Sequence, residues 1–502
     1  MSAAGQAPRG SGGARDASAA GQAPRGSGGA SPRPISAFDA IVLGAGPAGQ
    51  HCAARLAEGG LRVAIVERER VGGECDYFAC IPSKTLLRPG EALQAAREAP
   101  GATTGELDPR QAFEWRDFMV AGYDDAGKVG WLEDQGIELL RGPGRIVGPG
   151  RVAVGDAEHS TRHIVVATGS DPAIPPIDGL RELDGVWTNR EVTALTEVPR
   201  RLLVLGGGPV GVEMAQAIRR MGASVALVEG ADRVLPREPA PLGRALGEAL
   251  AAEGIELCYG QHASTARRED GQFVLQFPER DELRGDRLLV ATGRRPRVEG
   301  IGLDAVGVEP GRRGIEVDAR MNAGDGLWAI GDVTGVWPLT YVGKYQGRVA
   351  AANILGAPRE ANYDAVPRVV FTDPQAAAVG EVEGALTATA SIAGVPRTAT
   401  YTRAYAEKNG FLTLVSDGER LTGAYALGPE AGEWLQQATL AIRAGVALEV
   451  MDDVIQPFPT FSEIFLHALT ELVASRWHPA RPNARGQVSR QALGSAERAR
   501  TG

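Results

Sequence analysis

The sequence predicts an α/β chain with two separate parallel sheets, followed by an α+β unit. Three observations carry this. The glycine turn Gly44-Ala45-Gly46-Pro47-Ala48-Gly49 follows the apolar run Asp39-Ala40-Ile41-Val42-Leu43. A second turn of the same form, Gly206-Gly207-Gly208-Pro209-Val210-Gly211, follows the apolar run Leu202 to Leu205. Continuous apolar runs that end in glycine read as buried parallel strands. After residue 357 the pattern changes to alternating stretches such as Arg368-Val369-Val370-Phe371-Thr372, then helical ones near 431–444 and 460–472.

Each of the first two units runs the same course. A helix follows the turn, and a second strand follows the helix: Arg62 to Glu67 in one, Ser224 to Glu229 in the other. Gly44 and Gly206 permit the tight turn. Gly46 and Gly208 let the backbone approach a pyrophosphate, and Gly49 and Gly211 let helix and sheet pack closely. The helix N-terminus then offers free N–H groups and a positive dipole end. Glu67 and Glu229 close the second strands where an acid accepts hydrogen bonds from ribose hydroxyls. The turns start 162 residues apart, so they belong to two Rossmann-like dinucleotide domains. Glu229 would repel a 2′-phosphate, which favours NADH; Arg233 nearby leaves NADPH possible.

Two further strands run into loops beneath a cofactor. Ile164 to Gly169, which includes Thr168, and Leu288 to Gly293 both end in Ala-Thr-Gly. The apolar run Leu327 to Ile330 ends in Gly331-Asp332, an acid placed either for a sugar or ribityl hydroxyl or for a helix cap. The expected organisation is a disordered tail at 1–34, a first dinucleotide domain at 35–185 and a second at 186–305. A central segment at 306–356 rejoins the first. An interface domain at 357–475 and a second tail at 476–502 complete it. The N-terminal tail repeats Ser2 to Ala14 unchanged as Ser18 to Ala30, without the apolar side chains a core needs.

Composition narrows the function. At 502 residues the chain holds roughly three or four domains. A net charge of −9 argues against nucleic acid and anionic membranes as main partners. No apolar run reaches the roughly 18–20 residues of a membrane span, and no apolar signal region opens the chain. A bacterial cytoplasm is the expected location. No metal site is expected. Four cysteines, Cys52, Cys75, Cys80 and Cys258, are too few for a secreted disulfide framework.

One pair of cysteines has a setting. It lies in Gly72-Gly73-Glu74-Cys75-Asp76-Tyr77-Phe78-Ala79-Cys80-Ile81-Pro82-Ser83-Lys84. On a regular helix, positions five apart rise about 7.5 Å. Disulfides want Cα atoms within roughly 6.8 Å. The segment is therefore expected to bend near Cys75, with Pro82 in the first turn of a helix that begins near Cys80. A helix N-terminus lowers a thiol pKa. Lys84 follows Cys80 by four residues and shares its face.

These motifs resemble the class I pyridine nucleotide–disulfide oxidoreductases, which include dihydrolipoyl dehydrogenase, glutathione reductase and mercuric reductase. The resemblance covers about residues 38–475. It implies an FAD site with Glu67 on the adenosine ribose, Gly144 in backbone contact, Asp332 on the ribityl chain and Lys84 near the flavin. It implies an NAD(P) site at the second turn, with Glu213 paired to Lys84. Cys75 becomes the outer, interchange thiol and Cys80 the inner, flavin-side thiol. The fold it implies is a homodimer in which the partner's C-terminal region completes each active site, and Glu463 belongs to that region.

The chain departs from the family's pattern at two positions. A histidine normally precedes Pro-Thr-x-Ser-Glu and acts as acid and base for the interchange thiol. Here Phe458 stands there, before Pro459-Thr460-Phe461-Ser462-Glu463. Tyr341 likewise replaces a second histidine found in many members. Loss of positioned acid–base help lowers rates about 10²–10⁴-fold. The sequence therefore points to an NAD(P)H-oxidising flavoenzyme that passes electrons to an acceptor such as a quinone. A dihydrolipoyl dehydrogenase-type disulfide reductase is the alternative. Mercuric reductase and a flavoprotein sensor are less supported: no cysteine lies in the N-terminal tail or after Cys258, and the nicotinamide site looks intact.

Overall fold

The computed structural model describes residues 36–401 and 410–477. The expected N-terminal tail and residues 478–502 lie outside the described residues. Three sheets organise the rest. The first runs, in spatial order, Asn322–Gly324, Leu327–Ala329, Ala157–Val166, Ser36–Leu43, Val63–Glu67, Glu138–Arg141, and carries an antiparallel extension Gly144–Gly148 and Arg151–Val154. The second runs Glu256–Tyr259, Ser224–Glu229, Arg201–Leu205, Arg287–Val290, all parallel. The third is antiparallel, in the order Arg368–Val370, Gln375–Gly380, Leu421–Gly428, Phe411–Ser416, Leu386–Ser391. The strands are apolar because both faces are covered: Val63–Glu67 is buried at every residue.

The parallel registers put both glycine turns at the carboxyl ends of their strands. Leu43 pairs with Val66, and Leu205 pairs with Val228. Gly44 N donates to Val66 O at 2.8 Å, and Gly206 N donates to Val228 O at 2.8 Å. Ala167 N then donates to Leu43 O, and Ala291 N to Leu205 O. The two units are thus alike down to single hydrogen bonds. In open parallel sheets this crevice beyond the carboxyl ends is where dinucleotides bind.

The Leu327–Ala329 strand returns the chain to the first sheet, which is why a segment near residue 330 can meet one near residue 44. The helix Thr340–Ile354 packs on the helix Pro47–Glu58 through small residues. A Cβ at Gly343 would lie 3.1 Å from Ala48 Cβ, and one at Gly347 would lie 2.9 Å from Ala48 O. This close crossing carries the first residue of that helix, Thr340, toward the cysteine segment. On the third sheet rests the helix Ile464–Trp477, whose Ile464, Phe465, Leu469 and Leu472 are fully buried. Among the described residues, no helix is long and apolar enough to cross a membrane.

Candidate active site

The two glycine turns are built to approach a ligand. Gly44 and Gly206 have φ of +107° and +104°, which L side chains rarely adopt, and a Cβ on either would strike the loop of the neighbouring strand. Gly49 and Gly211 sit against the carbonyls of Gly44 and Gly206, so they serve helix packing and stay off the ligand face. Gly46 and Gly208 have nothing within 4 Å of a built Cβ, and both border one continuous cavity of about 2320 Å³. That is about twice the roughly 1,000 Å³ upper size of common ligand pockets, so two dinucleotides fit it.

Glu67 and Glu229 hold these turns directly. Glu67 Oε2 accepts from Ala45 N at 2.9 Å and Oε1 from Glu69 N at 2.7 Å. Glu229 Oε2 accepts from Gly207 N at 2.7 Å and Oε1 from Ala231 N at 2.9 Å. Each carboxylate oxygen retains a second lone pair for a ribose hydroxyl. Arg233 is engaged elsewhere, with Asp232 at 2.6 Å and Pro236 O at 3.1 Å.

The same cavity is bordered by Gly144, Thr168, Gly169, Gly331, Asp332 and Gly293. Thr168 Oγ1 donates to Arg297 O at 2.7 Å, fixing the Ala-Thr-Gly loop. Gly331 N donates to Gln346 Oε1 at 2.6 Å. Asp332 caps no helix; its Oδ2 accepts from Ser170 Oγ at 2.6 Å. Gly144 packs so tightly on Leu43 and Val66 that a Cβ would come within 2.9 Å of both.

The cysteine segment bends as the spacing requires. A short helix, Gly73–Tyr77, holds Cys75. Phe78 and Ala79 break it, and a new helix opens at Cys80 with Pro82 in its first turn. Both cysteines are thiols in this structure. Thr340 Oγ1 lies 3.2 Å from Cys80 Sγ and 3.3 Å from Cys75 Sγ, so one hydroxyl touches both sulfurs. No motif in the sequence marked Thr340; its place eight residues beyond Asp332 became meaningful only once the two helices crossed.

The two thiols are driven apart electrostatically. Cys80 is pushed down to about 6, chiefly by the hydrogen bond from Cys75, with help from Thr340 and the Lys84 charge against the opposing effect of burial. Cys75 is pushed up, because it serves as the proton-bearing partner of that same bond and is partly desolvated. The shared hydrogen bond favours the charge on Cys80 Sγ and the proton on Cys75 Sγ.

Lys84 and Glu213 meet as expected. Lys84 Nζ donates to Glu213 Oε2 at 2.7 Å, and Phe371 N donates to Glu213 Oε1 at 2.9 Å. Glu213 is only 4% exposed, and the Lys84 ammonium also lies 4.8 Å from the Phe371 ring centre. Glu463, like the packing glycines Gly49 and Gly211, does not border the cavity of its own chain. Its Oε2 accepts from Thr460 N at 3.1 Å and closes a capping box. Phe458, five residues before it, is 74% exposed. His467 lies against Gly394 instead of reaching the sulfurs. Tyr341 donates its hydroxyl to Pro367 O.

Comparison with known proteins agrees with this geometry. Residues 38–347 match the pyridine nucleotide-disulphide oxidoreductase family, and residues 366–469 match the dimerisation domain of the same family. The chain belongs to the pyridine nucleotide-disulphide oxidoreductases. It is 36% identical over 455 residues to a dihydrolipoyl dehydrogenase of Thermus scotoductus, covering 87% of this chain and 97% of that one. It is 35% identical over 442 residues to a mercuric reductase of Acidithiobacillus ferrooxidans, covering 84% and 80%. Among solved structures it is similar to the HOCl-induced flavoprotein disulfide reductase RclA from Escherichia coli. There the TM-score is 0.77 at 27% identity, over 86% of this chain and 99% of that one. LpdA from Mycobacterium tuberculosis gives a TM-score of 0.77 at 25% identity, over 87% and 100%. This is a family of FAD- and NAD(P)H-dependent enzymes, and the cavity's paired glycine faces fit those two groups.

Proposed function

We propose that this protein oxidises NAD(P)H, with NADH preferred, and delivers the electrons to a non-disulfide acceptor such as a quinone, with Cys75 and Cys80 as a redox relay. FAD, when bound, would supply hydride acceptance and electron transfer. The residues around it bind and orient. Gly44 to Gly49 and Glu67 would hold the FAD pyrophosphate and ribose, and Asp332 the ribityl chain. Gly206 to Gly211 and Glu229 would hold the nicotinamide dinucleotide. Lys84, fixed by Glu213, supplies a positive charge where the reduced cofactor gains a negative one.

One observation carries the choice of acceptor. Among the described residues, the side chains that act most strongly on Cys75 are Cys80, Thr340 and Asp76, and none of these is an imidazole. In a symmetric dimer the C-terminal segment brought by a second copy would present another phenylalanine at position 458. Reduction of a substrate disulfide needs a proton for the leaving thiolate. Electron delivery to a quinone needs none from the protein. Trp115 and Met119, both exposed, border the same cavity as Cys75 and offer apolar surface to a planar ring. Homodimerisation is part of this reading. It is supported by the dimerisation domain and by the exposure of Leu440 (70%) and Ile455 (95%) within it.

Disulfide reduction of the dihydrolipoyl dehydrogenase type is the second reading. It is favoured by the 36% identity to that enzyme and by the retained Glu463. Steady-state turnover of the holoenzyme with a soluble quinone and with lipoamide separates the two. The proposal expects the quinone to be used at least 10²-fold faster, the low end of what acid–base help contributes. Equal or faster lipoamide turnover would establish the second reading instead.

A further inference from the structure

The loop between the two cysteines is gripped by side chains from a distant part of the chain. Arg190 Nε donates to Glu74 Oε1 at 2.8 Å, and a second guanidinium nitrogen donates to the same oxygen at 2.5 Å. Its remaining donors reach both oxygens of Glu69 at 2.8 and 2.9 Å. The Arg190 guanidinium also lies 4.3 Å from the Phe78 ring centre. Beside it, Asn189 Nδ2 donates to Glu74 Oε2 at 2.8 Å and to Phe78 O at 2.9 Å. Glu74 immediately precedes Cys75, and Phe78 lies in the bend between the cysteines.

Asn189 and Arg190 themselves are held. Thr188 and Glu191 form a capping box over the short helix Asn189–Thr193, with Thr188 N donating to Glu191 at 2.7 Å. Arg294 donates to Asn189 Oδ1 at 3.1 Å and to Ser170 Oγ at 2.6 Å, and Ser170 in turn donates to Asp332. One connected network therefore runs from the flavin-facing acid to the residue beside the outer sulfur. Asp76, the residue after Cys75, is already paired with Lys128 at 2.9 Å.

We propose that Arg190 is a positioning residue for the Cys75–Cys80 pair, and that its charge balance with Glu74 sets the disulfide–dithiol equilibrium. Reduction breaks the sulfur–sulfur bond with two electrons. One proton ends on Cys75 Sγ and a negative charge ends on Cys80 Sγ. The reduced form thus carries one more negative charge than the disulfide. Loss of the Arg190 charge beside Glu74, which leaves only Arg294 at 3.9 Å, opposes it; neutralising Glu74, with Arg190 still held by Glu69, favours it. A network that merely held the fold together would not respond to the sign of the charge removed. This inference rests on the reading that the pair is redox active.

The test is equilibration of the holoenzyme with glutathione at pH 7, reading the reduced fraction by thiol counting. Two glutathione thiols supply the electrons and become one glutathione disulfide; one proton stays on Cys75 and the other leaves to solvent. Arg190→Gln is expected to shift the equilibrium constant at least threefold toward the disulfide. The near-isosteric Glu74→Gln is expected to shift it at least threefold toward the dithiol. Each corresponds to about 14 mV for a two-electron couple. The double variant is expected to return within twofold of the unaltered protein. FAD content and anaerobic bleaching by NADH, read on every variant, report folding separately. Shifts of the same sign, or both single variants within twofold of the unaltered protein, would overturn the inference. An unaltered protein with no thiol–disulfide transition at all would overturn the redox-pair reading and this inference with it.

Discussion

Lys84 and Glu213, 129 residues apart, form an ion pair of 2.7 Å whose acid is also anchored by the backbone of Phe371. The pair joins the cysteine helix to the second dinucleotide helix, so the lysine's position depends on both domains. Glu213→Ala would leave the partly buried Phe371 N–H without its acceptor, a loss of about 1–3 kcal/mol. The half-exposed lysine adds less, because solvent screens it. We predict a fall in stability of about 2 kcal/mol by urea unfolding. The rate of anaerobic bleaching by NADH should fall about 10²-fold, the usual loss when a preorganised charge is removed from a developing one.

The thiol pair yields a pH prediction. Cys80 is lowered to about 6, so its thiolate stabilises the reduced fold fully above the ordinary thiol range near 8.5 and progressively less as pH falls toward 6. The long-wavelength thiolate–flavin absorbance of the two-electron-reduced enzyme should persist at pH 7 and fade with an apparent midpoint near 6. Thr340→Val keeps the shape and removes the hydroxyl shared by both sulfurs. A hydrogen bond to a charged group contributes about 1.5 kcal/mol, so the midpoint should rise by about one unit. An unchanged midpoint would remove Thr340 from the site.

Much of this was legible in the sequence because glycine, proline and spacing act locally. Gly44 and Gly206 announce φ values that other residues resist, and Pro82 announces a first helical turn. A bend between the cysteines followed from helix rise, but it falls at Phe78 and Ala79 and not at Cys75 as expected, because Cys75 sits inside the short helix Gly73–Tyr77. Thr340, Asn189 and Arg190 were not legible, because ordinary polar residues gain meaning only from what the fold brings beside them. Asp332 was ambiguous for the same reason: whether it caps a helix or meets Ser170 depends on a strand pairing, Leu327 with Ile164, that spans about a third of the chain. Glu463 was placed correctly in its motif, yet its own chain does not bring it to the cavity.

Coenzyme choice follows from Glu229. Its oxygens already accept from Gly207 N and Ala231 N, while Arg233 is turned to Asp232 and Pro236. A 2′-phosphate would meet a fixed carboxylate and an Arg233 already engaged. NADH should exceed NADPH in kcat/KM by at least tenfold, about 1.4 kcal/mol, with most of the difference in KM. Equal efficiencies would show that another cation serves the phosphate.

The central claim is that the missing imidazole at position 458 limits disulfide reduction while leaving electron flow to other acceptors intact. Its most direct test is a single-turnover experiment. Enzyme reduced anaerobically with one equivalent of NADH is mixed with lipoamide or with a soluble quinone, for the unaltered protein and for Phe458→His. The account predicts slow reoxidation by lipoamide that rises about 10²-fold or more in the variant, with quinone reoxidation unchanged within about twofold. Rapid reoxidation of the unaltered enzyme by lipoamide, no slower than by the quinone, would contradict it.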